Sequence, residues 1–239
     1  MAVPIVVCSY NRLECLRKQM ECFDRRGWGD DVTILDMSSD WPPLLEWYET
    51  CGRRVVTLPN NGPHYWWSTD EYQRVKGGYY VYTDSDVVLA DTCPGDVLEF
   101  FTEVLRSMKG MGFGKVGPIL RTWDLPGCFP LKERVLDLER GVSDESRFQY
   151  VGNGVRVSLV DTTFALYAPG VEFGNASPRP DVSLCLALRA DAPYEAIHLP
   201  WYQDFGNLSE EDRHYLASIR RSGFSSMVDL LAMWGNSWI

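Results

Sequence analysis

Apolar residues come in short blocks along the first ninety positions, and two spacings alternate. "VPIVVCSY" (3–10) is nearly all apolar, the pattern of a strand covered on both faces. "RLECLRKQMECF" (12–23) instead places Leu13, Leu16, Met20 and Phe23 along one helical face. "VTILDMSS" (32–39) predicts a second strand. "PPLLEWYETCG" (42–52) predicts a short helix with proline at its start and glycine past its end. "RRVVTLP" (53–59) is a third strand, "STDE" (68–71) a capping-box spacing that opens a helix to Lys76, and "YYVYTDSDVVL" (79–89) a fourth strand. Strand and helix in alternation predict an α/β fold, a mostly parallel central sheet with helices on both faces.

Past residue 95 the pattern loosens. "DVLEFFTEVLRSMK" (96–109) is an amphipathic helix and "KVGPILR" (115–121) a strand. "VRVSLVDTTFALY" (155–167) and "VSLCLALR" (182–189) are strand-like. "SEEDRHYLASIRRS" (209–222) predicts a helix, and "FSSMVDLLAMW" (224–234) continues a helical tail. With 239 residues, no repeats and no long linker, one domain over 1–239 is expected.

Charge and cysteine usage narrow the partners. The formal net charge is −10 and the basic residues are scattered, which disfavours nucleic acid and anionic membrane surfaces. The seven cysteines, an odd number without CxxC spacing, predict free thiols in a reducing compartment, hence a cytoplasmic protein. The opening "MAVPIVVCSYNR" has no basic region before its apolar run and is expected to be a strand rather than a signal peptide. No apolar run reaches the ~20 residues of a membrane span, so no transmembrane segment is expected.

The candidate chemistry starts at "DSD". Asp84 and Asp86 stand at the end of a predicted strand, and in open α/β sheets ligands bind outside the carboxyl ends of the strands. At i, i+2 in extended chain both side chains point the same way. Two like charges held together need compensation, and a divalent cation supplies it. The plainer alternative is a pair of turn or cap residues. The first strand is followed by "CSYNR" rather than GxGxxG, and GxxxxGK[ST] is absent, which argues against dinucleotide-binding Rossmann and P-loop chemistry.

These residues resemble a family. The chain resembles nucleotide-sugar-dependent glycosyltransferases of the GT-A fold, close to the bacterial and viral family-2-like enzymes, most clearly over 3–90 and 155–205. "VPIVVCSYNRLECL" resembles their opening strand and helix, which implies nucleotide contacts from Ser9, Tyr10, Asn11 and Arg12. "ILDMSSD" resembles the second strand, where an acidic residue holds base or ribose, here Asp36. "DSD" resembles the DxD motif, which implies that Asp84 holds ribose or metal and Asp86 holds Mn²⁺ or Mg²⁺. "VDTTFALY" (160–167) and "IHLPWY" (197–202) resemble segments of one bacterial branch. The second implies a metal-ligating His198 with Trp201 close behind, although Ile197 replaces an arginine frequent there. On this reading residues 1–90 form a nucleotide-binding half, and 91–239 hold the acceptor-side half and the C-terminal helices.

Other candidates come from the residues themselves. Trp66 and Trp67 in "NNGPHYWW" (60–67) are either core or stacking walls for a sugar. Arg74 faces either a phosphate or solvent. An inverting transfer needs a general base; Asp161 is the first candidate, with Asp124 and Asp204 behind it, and a retaining transfer would need none. The expected activity is metal-dependent transfer of a sugar from a UDP-sugar to a glycan or other hydroxyl acceptor, inversion favoured. The alternatives are a non-catalytic nucleotide-sugar or glycan-binding module and a GT-A-like nucleotidyltransferase.

Overall fold

A computed structural model of the chain describes residues 2–62, 65–143, 150–152, 154–160, 163–171 and 187–222. The first part is the expected alternation: β1 (Ile5–Ser9), α1 (Leu13–Arg25), β2 (Val32–Asp36), α2 (Pro42–Tyr48), β3 (Arg54–Thr57), α3 (Asp70–Val75) and β4 (Tyr80–Asp84). It continues with β5 (Val87–Leu89), α4 (Val97–Ser107), β6 (Lys115–Leu120), α5 (Lys132–Ser143), β7 (Tyr150–Gly152), β8 (Val155–Val157), β9 (Ala165–Tyr167), β10 (Ala187–His198) and α6 (Glu210–Ser222). The strands form one ten-stranded sheet in the order β3-β2-β1-β4-β9-β6-β10-β8-β7, with β5 paired to β10. It is mostly parallel along its longer ladders. β3, β2, β1 and β4 run parallel, as do β6 and β10. The antiparallel contributions come from β5, β7, β8 and β9, each of three residues.

Alternation along β1 explains the layering. Ile5 and Val7 face one core with Leu16, Met20 and Phe23 of α1 and Phe101 of α4. Val6 faces the other with Trp66, Trp67, Tyr72, Tyr80 and Tyr82. A strand with a core on each side must be apolar at every position, which is the pattern the sequence showed.

Four expectations need correction. The strand over 79–89 breaks at Ser85 and Asp86. Ser85 N donates to Cys8 O at 2.9 Å, and the chain then leaves β1 to pair antiparallel with β10. The stretch 155–167 is two strands in different places, β8 on β10 and β9 between β4 and β6. Val160 and Phe164, between them, pack tightly on β6, where a Cβ at Gly117 would lie 2.8 Å from Phe164 O. β-branched composition does not reveal such a crossing. The capping box also fails to form. Ser68 and Thr69 donate to the carbonyls of Tyr65 and Trp66, and Glu71 is taken by Arg54. Finally, the strand expected to end at 189 runs to His198. Pro193 masked it, and the register shift between Ala190 and Glu195 is what accommodates the proline. Residues 182–186, like the tail 224–234, lie outside the described residues. Helix α5 had no sequence signal, since Leu138 is exposed and few of its positions are buried.

Among the described residues no helix is long and apolar enough to cross a membrane. Cys8, Cys15, Cys22, Cys51, Cys93 and Cys128 are free thiols.

Candidate active site

β1, β2 and β4 end together, and their last residues carry the candidate chemistry. Ser9 is in register with Asp36, and Cys8 with both Leu35 and Asp84. Burial pushes the Cys8 thiol up to about 12, and the charges of Asp84, Asp86 and Asp36 around it add to the shift. Three carboxylates therefore lie near this edge. Ser85 is buried between Asp84 and Asp86, which are both half-buried.

Asp36 stands at the expected strand end but is only 2% exposed. Its oxygens accept from Ser39 N at 3.2 and 3.3 Å and from Tyr48 Oη at 3.3 Å. Tyr48 Oη also reaches Ser9 Oγ at 3.3 Å. Burial raises the Asp36 carboxyl above its ordinary value, against the hydrogen bonds from Ser39 and Tyr48. Ser9 is buried and Tyr10 half-buried.

Asp86 meets two basic groups. Its Oδ1 lies 3.7 Å from His198 Nε2, and its Oδ2 lies 3.8 Å from an Arg12 amino group. Asp86 Oδ1 is buried and has no hydrogen-bond partner. The loop that presents it is held from below by Gln19 of α1. Gln19 Nε2 donates to Asp84 O at 2.7 Å and Val87 O at 2.6 Å, one carbonyl on each side of Asp86. No motif named Gln19, but a signal existed: it lies within the apolar stripe Leu16–Met20–Phe23, where a polar side chain needs a buried partner.

The β1–α1 loop is covered by α6, whose contacts no local pattern announced. Glu211 accepts from Leu13 N at 3.0 Å and Glu14 N at 3.1 Å, so it caps α1 from the far end of the chain. Arg12 lies over the Tyr215 ring at 4.2 Å. His214 Nε2 and Asp40 Oδ1 are 2.8 Å apart. Asn11, at φ 51°, spends its side chain on structure. It accepts from the amides of Asp40 and Trp41 and donates to Asp40 Oδ1 and Ser218 Oγ.

The remaining candidates fall elsewhere. Trp66 and Trp67 are 1% and 7% exposed, packed on Tyr82, Tyr80 and Tyr167, so they are core rather than walls for a sugar. Arg74 pairs with Glu71, which also holds Arg54 at the start of β3. It therefore sits at the amino edge of the sheet, away from Asp86, and is no phosphate contact. Trp201 is half-buried with its ring 4.8 Å from that of His198, and it anchors the turn after β10. Asp161 lies outside the described residues. Asp124 accepts from Tyr202 Oη at 2.6 Å, and Asp204 from Gly206 N at 2.9 Å.

Among the described residues no three His, Cys, Asp or Glu side chains are gathered closely enough to hold a metal by themselves. Asp86 and His198 nevertheless fit a divalent cation. One offers a buried carboxylate oxygen without a hydrogen bond, the other a ring nitrogen facing it, and oxygen with imidazole suits Mn²⁺.

No family model matches the chain, and no curated protein matches it. Among solved structures it is similar to a mycobacterial protein at 17% identity, TM-score 0.47, over 94% of this chain and 76% of that one. It is similar to glucosyl-3-phosphoglycerate synthase from Mycobacterium tuberculosis in complex with Mn²⁺, UDP-glucose and phosphoglyceric acid. That match has 14% identity and TM-score 0.48, over 94% of this chain and 81% of that one. A cytidylyltransferase from Leptospira borgpetersenii is similar at 10% identity, TM-score 0.45, over 93% of this chain and 95% of that one. Likeness of this size assigns no activity, which has to rest on the chain's own residues.

Proposed function

We propose that the protein is a divalent-metal-dependent glycosyltransferase of GT-A type, moving a sugar from a UDP-sugar to a hydroxyl of a glycan acceptor. The observation that carries this reading is the Asp86–His198 pair, 3.7 Å apart at the carboxyl edge of the sheet, with the Asp86 oxygen buried and without a hydrogen bond. A buried carboxylate oxygen left this way is costly, and a cation relieves the cost. Asp86 and His198 would hold Mn²⁺ or Mg²⁺, with Asp84 shared between the cation and the ribose. Bound there, the ion would offset charge on the leaving diphosphate.

The chain's own groups supply the rest. Arg12, buried and permanently charged, is 3.8 Å from Asp86 and is poised for a phosphate oxygen. Ser9, Tyr10 and Asn11 shape the floor under the nucleoside, with Asp36 and Tyr48 behind them. In the transfer the anomeric C–O bond to the diphosphate breaks and takes its electron pair to the phosphate. A bond from the acceptor oxygen forms on the opposite face. Asp161 is the proposed base that takes the acceptor proton. Its described neighbours Val160 and Phe164 are buried against Gly117 of β6.

Calorimetry with UDP and a panel of UDP-sugars, with and without Mn²⁺, tests this. Binding that requires the metal, followed by UDP release when a glycan is added, is the expected result. Pyrophosphate release from a nucleoside triphosphate and a sugar phosphate would overturn it, as would failure of every nucleoside diphosphate to bind with Mn²⁺ or Mg²⁺.

A further inference from the structure

Trp123 is 74% exposed, whereas every other tryptophan among the described residues is buried or half-buried. It follows β6, whose carboxyl end lies on the same edge as those of β4 and β10. Arg121 N donates to Ala196 O at 2.8 Å, two residues before His198. The indole has a firm mount. The Arg121 guanidinium lies 5.2 Å from its ring centroid. Tyr202 Oη donates to Asp124 Oδ1 at 2.6 Å and lies 3.1 Å from Arg121 O, so one hydroxyl pins both flanks of residues 122–123. Leu125 and Phe129, just beyond, are buried in a small separate core with Trp201 and Tyr202. Tyr202 ends the turn that begins after His198, so three residues separate this mount from the Asp86–His198 pair.

We propose that Trp123 is the stacking platform of a carbohydrate subsite, with Asp124 beside it as the carboxylate that receives sugar hydroxyls. A pyranose has an apolar C–H face and a rim of hydroxyl donors. A flat exposed indole flanked by an acceptor-only carboxylate matches both features. In the sheet order β6 lies on the far side of β4 from β1 and β2, where the nucleotide floor is, so the bound sugar belongs to the acceptor. This assignment to the acceptor rests on the transferase reading above; carbohydrate binding by Trp123 does not.

Saturation-transfer NMR with methyl pyranosides and cello- and chito-oligosaccharides tests the platform. Wild-type protein is expected to bind at least one of them at millimolar concentration. Trp123→Ala should weaken that binding roughly tenfold, and Trp123→Phe should retain most of it. Because the side chain is exposed, both variants should keep the wild-type Tm and the wild-type affinity for UDP with Mn²⁺. Equal glycan binding by Trp123→Ala overturns the proposal, and so does the absence of any glycan signal from wild-type protein. A loss of UDP-sugar affinity with glycan affinity intact would also overturn it, since the platform would then serve the donor. Glycan binding that depends on Trp123, in a protein that binds no nucleotide, would sink the transferase reading and leave this one standing.

Discussion

His198 Nε2 stands 3.7 Å from Asp86 Oδ1 because β5 turns back onto β10 and puts His198 in register with Val87. The two groups come from opposite halves of the chain, and a three-residue strand is what joins them. If they share a cation, Asp86→Asn and His198→Ala should each weaken Mn²⁺-dependent UDP binding by at least about tenfold, ~1.4 kcal/mol. An imidazole must be neutral to ligate, so protons compete with the metal. Affinity should therefore fall as the solution is acidified, and His198→Ala should flatten that dependence. Unchanged Mn²⁺ affinity in the histidine variant would make His198 a structural residue packed on Trp201.

Gln19 holds the carbonyls on both sides of Asp86, and leucine fills a similar volume without donors. Gln19→Leu removes the buried amide donor that the two carbonyls share, with Thr83 Oγ1 still 3.0 Å from Asp84 O, at a cost of about 1–3 kcal/mol. Urea denaturation should show that loss, and Mn²⁺ titration of the folded variant should show weaker binding. Lost stability with full metal affinity would mean that Gln19 supports the fold but does not aim Asp86.

Asp36 predicts a direction in pH. Its folded-state value is raised above the ordinary 3.8 by burial, so folding takes up protons at this site. The stability it contributes is fullest below the unfolded value and is lost as pH rises through the folded one. Asp36→Asn does not titrate. Its stability relative to wild type should therefore improve as pH rises across that window. Parallel pH profiles of Tm for the two proteins would show that Asp36 is not the titrating group.

Glu211 caps α1 across the molecule and fastens α6 over the β1–α1 loop. Glu211→Ala should cost about 0.5–2 kcal/mol, the range for a lost helix cap. Hydrogen exchange at the Leu13 and Glu14 amides should speed up. Glu211→Gln keeps an acceptor and should protect those amides better than alanine. Equal exchange in wild type and Glu211→Ala would show that α6 does not cap α1 in solution.

The local sequence determined the kind of each early element and which end of it faces the site. A short continuous apolar run rich in β-branched residues fits a strand with cores on both sides. The order of strands and helices then makes β1 to β4 parallel and sends Asp36 and Asp84 to one edge. Those outcomes depend on spacings of two and 3.6 residues, which neighbours in the chain reveal. Which groups those carboxylates meet was decided in three dimensions. Pairing between β5 and β10, the bulge that lets a strand pass Pro193, and the seat of α6 on Arg12 and Asn11 are long-range contacts without a local period. The tryptophans make the same point. An indole has the same sequence signature in a core as on a rim. Trp66 and Trp67 went inside because Tyr80 and Tyr82 of β4 turn toward them, while Trp123 stayed out because Tyr202 and Arg121 hold its loop at the open edge.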